Sequence, residues 1–350
     1  MKFLTIILLF CLPGVLTAQQ RSFTVFDTIQ LQEISIAATV PLNERTVLDF
    51  HSSGNFSSID KINERLDGIM LIRRGAYAMD PQMHGFAAGQ INVTIDGMKM
   101  FGACTDRMDP VTSYLEPDNL KSLKITHGTS GNIHGNTVGG SFDMILKEPQ
   151  TGPTPDISFI AGTGFESVSQ GVNARAALDI NRDKWAFRSS GTYRKHSSYK
   201  GGDGNIVPFS QFEKVNLHSV LKYEADKNNI FRLDFLLDDA YDVGYSALPM
   251  DVARAQARMY AFEYAKPLAG SRISNLKAKL YYNSIYHLMD DSRRDSTFLL
   301  EGAAPGIPDT VYMRMDMPGW SNTLGFYLNG EVDLGSRSKI YFKVDDYLNF

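Results

Sequence analysis

Four side chains in this 350-residue chain have the types and spacing to hold a soft metal ion: Cys104, Met108, His287 and Met289. Thiolate and thioether sulfur favour Cu(I) ahead of zinc, and both far ahead of magnesium or calcium. Cys104 and Met108 stand four residues apart, as Cys-x-x-x-Met. One helical turn there would put both sulfurs on one face, within reach of one ion. His287 and Met289 alternate across Leu288, so on a strand they share a face. Each piece also has a plainer reading. Cys104 can be an inert buried thiol, Met108 a core residue, and His287 a rim histidine with its hydrogen bonds satisfied.

The stretch that carries the first pair, Ile91 to Met108, reads as a short strand, an Asp96-Gly97 turn and a loop. Asp-Gly between alternating residues is a strong hairpin signal, because glycine tolerates the positive φ that the turn needs. Met98 and Met100 follow the turn and are candidates for further sulfur along an ion's path, although alternating methionines also serve packing.

Composition narrows the class. A net charge of −4 with 21% charged residues suggests neither nucleic acid nor an anionic membrane surface as partner. Abundant glycine and aromatic residues, with no long apolar run past the start, suit a β-rich protein. Residues 1–18 read as a secretory signal: Lys2, an apolar run from Phe3 to Val15, then Leu16-Thr17-Ala18. Cys11 falls inside it, which leaves Cys104 as the lone thiol of an exported chain, unable to form an internal disulfide. With no later helix-length apolar segment, any membrane role has to be a β-barrel's.

Residues 19–48 read as weakly structured until the extended segment Leu31-Gln32-Glu33-Ile34-Ser35-Ile36. It could pair with a partner by strand addition, or be the first strand of the next domain. From Ser58 the pattern becomes mixed. Apolar residues at 59, 62, 66 and 69 have helical spacing after a Ser57-Ser58 cap, and Ile69–Ile72 reads as a strand. His84-Gly85-Phe86, Ile95-Asp96-Gly97-Met98, the strand Leu120–Ile125 and a glycine-rich run ending Val138-Gly139-Gly140 follow in order. The glycine run lacks the Gly-Lys-Ser/Thr of a phosphate loop, and its His127 and His134 read as turn residues.

In that order and spacing, residues 58–147 resemble the plug domain of a TonB-dependent outer-membrane receptor. Leu31–Ile36 then lies where such receptors carry the TonB box. After Pro149 the pattern turns strictly alternating: Phe231, Leu233, Phe235 and Leu237 stand opposite Arg232, Asp234 and Asp238. The same holds for Leu217, Leu221 and Tyr223, and again for Trp320, Leu324, Phe326 and Leu328. Such strands outrun the ~5–6 residues typical of soluble sheets and match the ~9–11 needed to cross a bilayer at a tilt. Tight polar turns near 181–184, 226–229, 268–271 and 335–338 alternate with longer loops over 195–213, 240–256 and 289–319. That is the rim asymmetry of outer-membrane barrels.

The expected fold is therefore an all-β membrane protein. An α+β plug domain over 49–150 precedes the N-terminal part of a transmembrane antiparallel β-barrel over 151–350. The pattern supplies about nine strands, and the resemblance implies about twenty-two. An open edge in lipid is too costly to stand, so a longer parent protein is expected. On the strand that begins near Ile273, Lys277, Lys279, Tyr281 and Asn283 face the lumen, which turns His287 and Met289 inward near the outer mouth. A plug apex loop is expected at the same level.

Cys-x-x-x-Met on the plug with His-x-Met on the wall is similar to the copper-binding branch of these receptors. That resemblance implies that copper, with Cu(I) favoured, is captured at the outer face as transported ligand, without a catalytic cofactor. It also implies import driven by TonB through Leu31–Ile36, by a monomer held in outer-membrane lipid. Two alternatives stay open: the same architecture serving a siderophore or other metal chelate, and a non-transporting surface adhesin or scaffold. No nucleophile–base–acid constellation suggests an enzyme.

Overall fold

The computed structural model describes residues 58–350, apart from 65, 67, 130–134, 269–271, 295–296, 300–309, 313–315 and 336–337. The signal segment 1–18 with Cys11, the segment Leu31–Ile36, and His134 lie outside the described residues.

The first unit is small and mixed. A short helix α1 (Ile59–Asn63) leads into an antiparallel pair, β1 (Ile69–Arg73) and β2 (Met79–Met83). Then come β3 (Ile91–Ile95), β4 (Met98–Lys99), β5 (Leu120–His127) and β6 (Gly140–Leu146), which form one sheet in the order β4-β3-β6-β5. β3 and β6 run parallel, and the other pairs run antiparallel. The helix is shorter than its apolar spacing predicts. Gly68 takes φ +75° and turns the chain into β1, so Leu66 and Ile69 lie beyond the helix. Ser58 stands at the N-cap position but its side chain makes no capping bond.

The Asp96-Gly97 turn forms as expected. Both residues have positive φ, 50° and 73°, and Ile95 pairs with Met98 across them. That is the twist a two-residue hairpin requires. Carboxylates hold the turn in place: Asp143 accepts bonds from the Thr94 hydroxyl at 2.7 Å and the Gly97 N–H at 2.9 Å, while Asp96 accepts from the Leu146 N–H at 2.9 Å. Met98 and Met100 are buried with Ile95, Phe142 and Met144, where their thioethers pack the core.

The second unit is one antiparallel sheet of nine strands in sequential order. Its strands are β7 (Asp156–Glu166), β8 (Gly171–Asn181), β9 (Trp185–His196), β10 (Phe212–Asp226), β11 (Asn229–Val243), β12 (Asp251–Lys266) and β13 (Ile273–Asp290). After β13 a small hairpin, β14 (Thr297–Leu299) with β15 (Thr310–Tyr312), stands apart from the sheet. Then β16 (Met317–Asp333) and β17 (Lys339–Asn349) complete the nine. No helix among the described residues is long and apolar enough to cross a membrane.

Alternation of the two faces is strict. Along β13, Lys279, Tyr281, Asn283, Ile285, His287 and Met289 are buried toward the first unit, while Leu280 and Tyr282 are exposed outside. The outer face carries two aromatic tiers. Trp185 stacks on Tyr223 at 4.1 Å, continuing through Phe231 to Tyr264, at the rim of short turns; Tyr286 meets Trp320 toward the other rim, and Tyr260 with Tyr282 lies between the two. Rings at two heights around an apolar band are what a bilayer's two interfaces select.

One loop is much shorter than expected. The β11–β12 connection spans 244–250 rather than 240–256, because Tyr241 still pairs with Arg254 and Val243 with Val252. Toward this rim the outer face turns polar, and Asp239 pairs there with Arg254 at 2.6 Å. The hydrophobic alternation that marks a strand therefore stops before the strand does.

Buried ion clusters fasten the first unit to the inside of the sheet. Asp96 meets Arg232 at 2.8 Å and Lys279 at 3.4 Å, and Lys279 also meets Glu263 at 2.9 Å. Elsewhere Glu116 meets Lys214 at 2.8 Å and Arg194 at 3.4 Å, and Lys214 meets Asp238 at 3.0 Å.

Candidate metal-capture site

The loop after β4 does not make the helical turn that the Cys-x-x-x-Met spacing invites. Cys104 opens a tight turn instead, closed by the Arg107 N–H donating to its carbonyl at 3.2 Å, with Arg107 at φ +53°. The Arg107 side chain forks onto Asp80 at 2.8 and 2.7 Å and so ties the turn to β2. Past the turn, Met108 is buried and its carbonyl accepts a hydrogen bond from the Tyr245 hydroxyl.

This turn meets the end of β13 beneath the 244–250 loop. Cys104 Sγ lies 3.8 Å from Met289 Sδ. Met108 belongs to the same buried apolar cluster as Cys104, Tyr245 and Met289. His287 Nδ1 lies 3.1 Å from Asp109 Oδ1, a carboxylate that the spacing argument did not include. Cys104, Asp109 and His287 can each bring a ligand atom within 4.8 Å of the others. Exposure is 6% for Cys104, 4% for Met289 and 1% for both Asp109 and His287. Met98 and Met100 are not brought to this point; they belong to the separate core cluster under the β3–β6 sheet.

Two features suit these atoms to an ion. Sulfurs at about 2.3 Å from one tetrahedral metal stand about 3.8 Å apart, and nitrogen and oxygen donors at about 2.0–2.2 Å stand roughly 3.3–3.6 Å apart. The observed sulfur separation of 3.8 Å has that size, and the 3.1 Å between His287 and Asp109 is a little shorter. Second, Asp109 Oδ1 and both His287 ring nitrogens are buried without making a hydrogen bond, the 3.1 Å contact being out of line for one. Buried polar atoms left in that state cost about 1–3 kcal/mol each. A cation among them would remove the cost.

The site is roofed. Tyr245 is fully buried, with its ring so close to Gly75 that a Cβ there would come within 2.8 Å of it. Arg294, just past β13, donates to the Tyr245 carbonyl at 2.9 Å and the Leu248 carbonyl at 2.8 Å, and its guanidinium also binds Asp251. The donors therefore sit under a pinned loop rather than openly at the mouth. The His84–His127 pair, with ring nitrogens 3.1 Å apart, is a separate, exposed contact.

Residues 46–141 match the family model of the TonB-dependent receptor plug domain. No curated protein matches the chain. Among solved structures, the copper transporter OprC is similar over 84% of this chain, at 22% identity and a TM-score of 0.75. The iron transporter FrpB of Neisseria meningitidis is similar over 83%, at 12% identity and a TM-score of 0.62. The siderophore receptor PirA of Acinetobacter baumannii is also similar over 83%, at 12% identity and a TM-score of 0.58. The chain spans 44%, 44% and 45% of the lengths of these three structures. At these identities the likeness is one of fold.

Proposed function

From the premise that this is a chain of the TonB-dependent receptor fold, a plug within the leading strands of a barrel, we propose that it captures copper at the outer membrane for import. The observation that carries the reading is the meeting of Cys104 Sγ with Met289 Sδ at 3.8 Å, with a ring nitrogen of His287 within 4.8 Å of the same thiol. Cys104, Met108, His287 and Met289 are the proposed ligands, and the sulfur-rich set favours Cu(I). The likeness to a copper transporter adds support, and the likeness to iron and siderophore receptors marks the competing cargo. The two aromatic tiers support a seat in the outer membrane. Leu31–Ile36 is proposed to pair as an added strand with TonB, whose pull loosens the plug.

The test is metal analysis of the purified full-length protein, loaded with Cu(I) without oxygen and then passed through a desalting column. The parent is expected to keep its copper and Cys104→Ala to lose it. Equal copper in both would overturn the reading and favour a chelate as cargo. Deleting Leu31–Ile36 should abolish growth on limiting copper without touching binding, which an adhesin would not show.

A further inference from the structure

The sulfur ligands leave a carboxylate unexplained. Asp109 is 1% exposed and follows Met108 directly. Its Oδ2 accepts a hydrogen bond from the Tyr114 hydroxyl at 3.0 Å, which fixes the plane of the carboxylate. Its Oδ1 is thereby presented to His287 Nδ1 at 3.1 Å, and neither atom makes a hydrogen bond. A carboxylate serving only to orient the imidazole would accept an in-line bond from the ring N–H. Here the two groups stand side by side, as two ligands of one ion do.

Carboxylate and thioether differ sharply in what they bind. A carboxylate adds little for Cu(I) and much for a borderline or harder divalent ion, while a thioether does the reverse. Cys104 and His287 suit both kinds. Cys104 has Met289 sulfur 3.8 Å away, and ligand atoms of Cys104, Asp109 and His287 lie within 4.8 Å of one another.

We propose that the capture site contains two overlapping donor sets that share Cys104 and His287. One is completed by Met108 and Met289 and takes Cu(I); the other is completed by Asp109 and takes a divalent ion of the zinc class. This rests on the copper reading above and extends it to a second class of cation at the same point. Which set is engaged is decided by which neighbour, sulfur or oxygen, closes around the ion. No electron transfer is required, because each ion is bound in the state in which it arrives.

Zinc is the suitable probe, since it has no redox chemistry. Affinities for Zn(II) and for Cu(I) are measured on the full-length protein, on Asp109→Asn and on Met289→Leu, two variants that keep side-chain size. Asp109→Asn is expected to weaken Zn(II) at least about tenfold more than it weakens Cu(I); Met289→Leu is expected to do the opposite. Asp109→Glu, which keeps the carboxylate, should recover part of the zinc affinity and guards against a folding defect in the Asn variant. Equal weakening of both metals by Asp109→Asn would overturn the proposal, since Asp109 would then act only through His287. A parent that holds Cu(I) but not Zn(II) would also overturn it and leave the copper reading intact. A parent that holds neither would defeat both.

Discussion

At the scale of single residues, Arg107 decides whether the plug half of the site is in place. It touches no donor atom, yet its left-handed backbone closes the turn that begins at Cys104, and its side chain forks onto the buried Asp80. A two-pronged guanidinium–carboxylate contact fixes direction as well as distance. Arg107→Met should lower Cu(I) affinity on the order of tenfold, with the barrel unaffected. Unchanged affinity in a competition titration would show that the turn holds itself. The same geometry explains what could be foreseen from sequence. The inward turn of His287 and Met289 is legible because a strand's period is fixed, and Cys104 and Met108 stand out as candidates because their sulfur chemistry is distinctive. Asp109 was not legible. It reaches the site through a turn tied to residue 80, a long-range contact that leaves no local pattern, and the helical turn invited by the spacing would have aimed it elsewhere.

At the scale of elements, the roof over the site has one evident latch. Arg294 gathers the Tyr245 and Leu248 carbonyls and Asp251, and lies 3.7 Å above the Phe209 ring. This one side chain joins the 244–250 loop, the end of β13 and the loop before β10. Removing hydrogen bonds of a charged donor costs about 1.5–3 kcal/mol, or roughly one to two orders of magnitude in the rate of opening. Arg294→Ala should accordingly speed release of bound copper to an external chelator, with less effect on the number of ions held. Release kinetics identical to the parent's would mean that the loop is not the barrier. The latch was hidden in the sequence, where 240–256 reads as one long loop. Toward that rim, polar residues such as Asp239 and Arg254 replace the apolar face by which strands are recognised.

At the scale of the whole molecule, the alternating sheet was the most legible part, because an apolar outer face and a charged inner face repeat with a period of two along its middle strands. The fastening of plug to wall was the least legible. Its partners, such as Asp96 with Arg232 and Glu116 with Lys214, are far apart in sequence. One member of that fastening titrates in an accessible range. Asp60 on α1 is fully buried near Arg194 and Lys214 of the wall and Glu116 of the plug; burial outweighs the two cations and pushes its carboxyl up from 3.8 to about 7. Between those values the folded protein keeps a proton that the unfolded chain has released, so stability falls as pH rises through the window and levels off above it. Across roughly three units the loss is on the order of a few kcal/mol. Asp60→Asn can still accept the Met79 backbone hydrogen bond and carries no charge to bury. Its advantage over the parent should widen from pH 4 to about 7 and then hold steady. Glu116 and the wall cations are common to both proteins, so most of their contribution cancels in the difference. Hydrogen exchange of the β1 and β2 amides, corrected for intrinsic rates and followed across that range in the full-length protein, measures it. Parallel curves for the two proteins would show that Asp60 is ionised in the folded state and that the wall cations, rather than burial, control it.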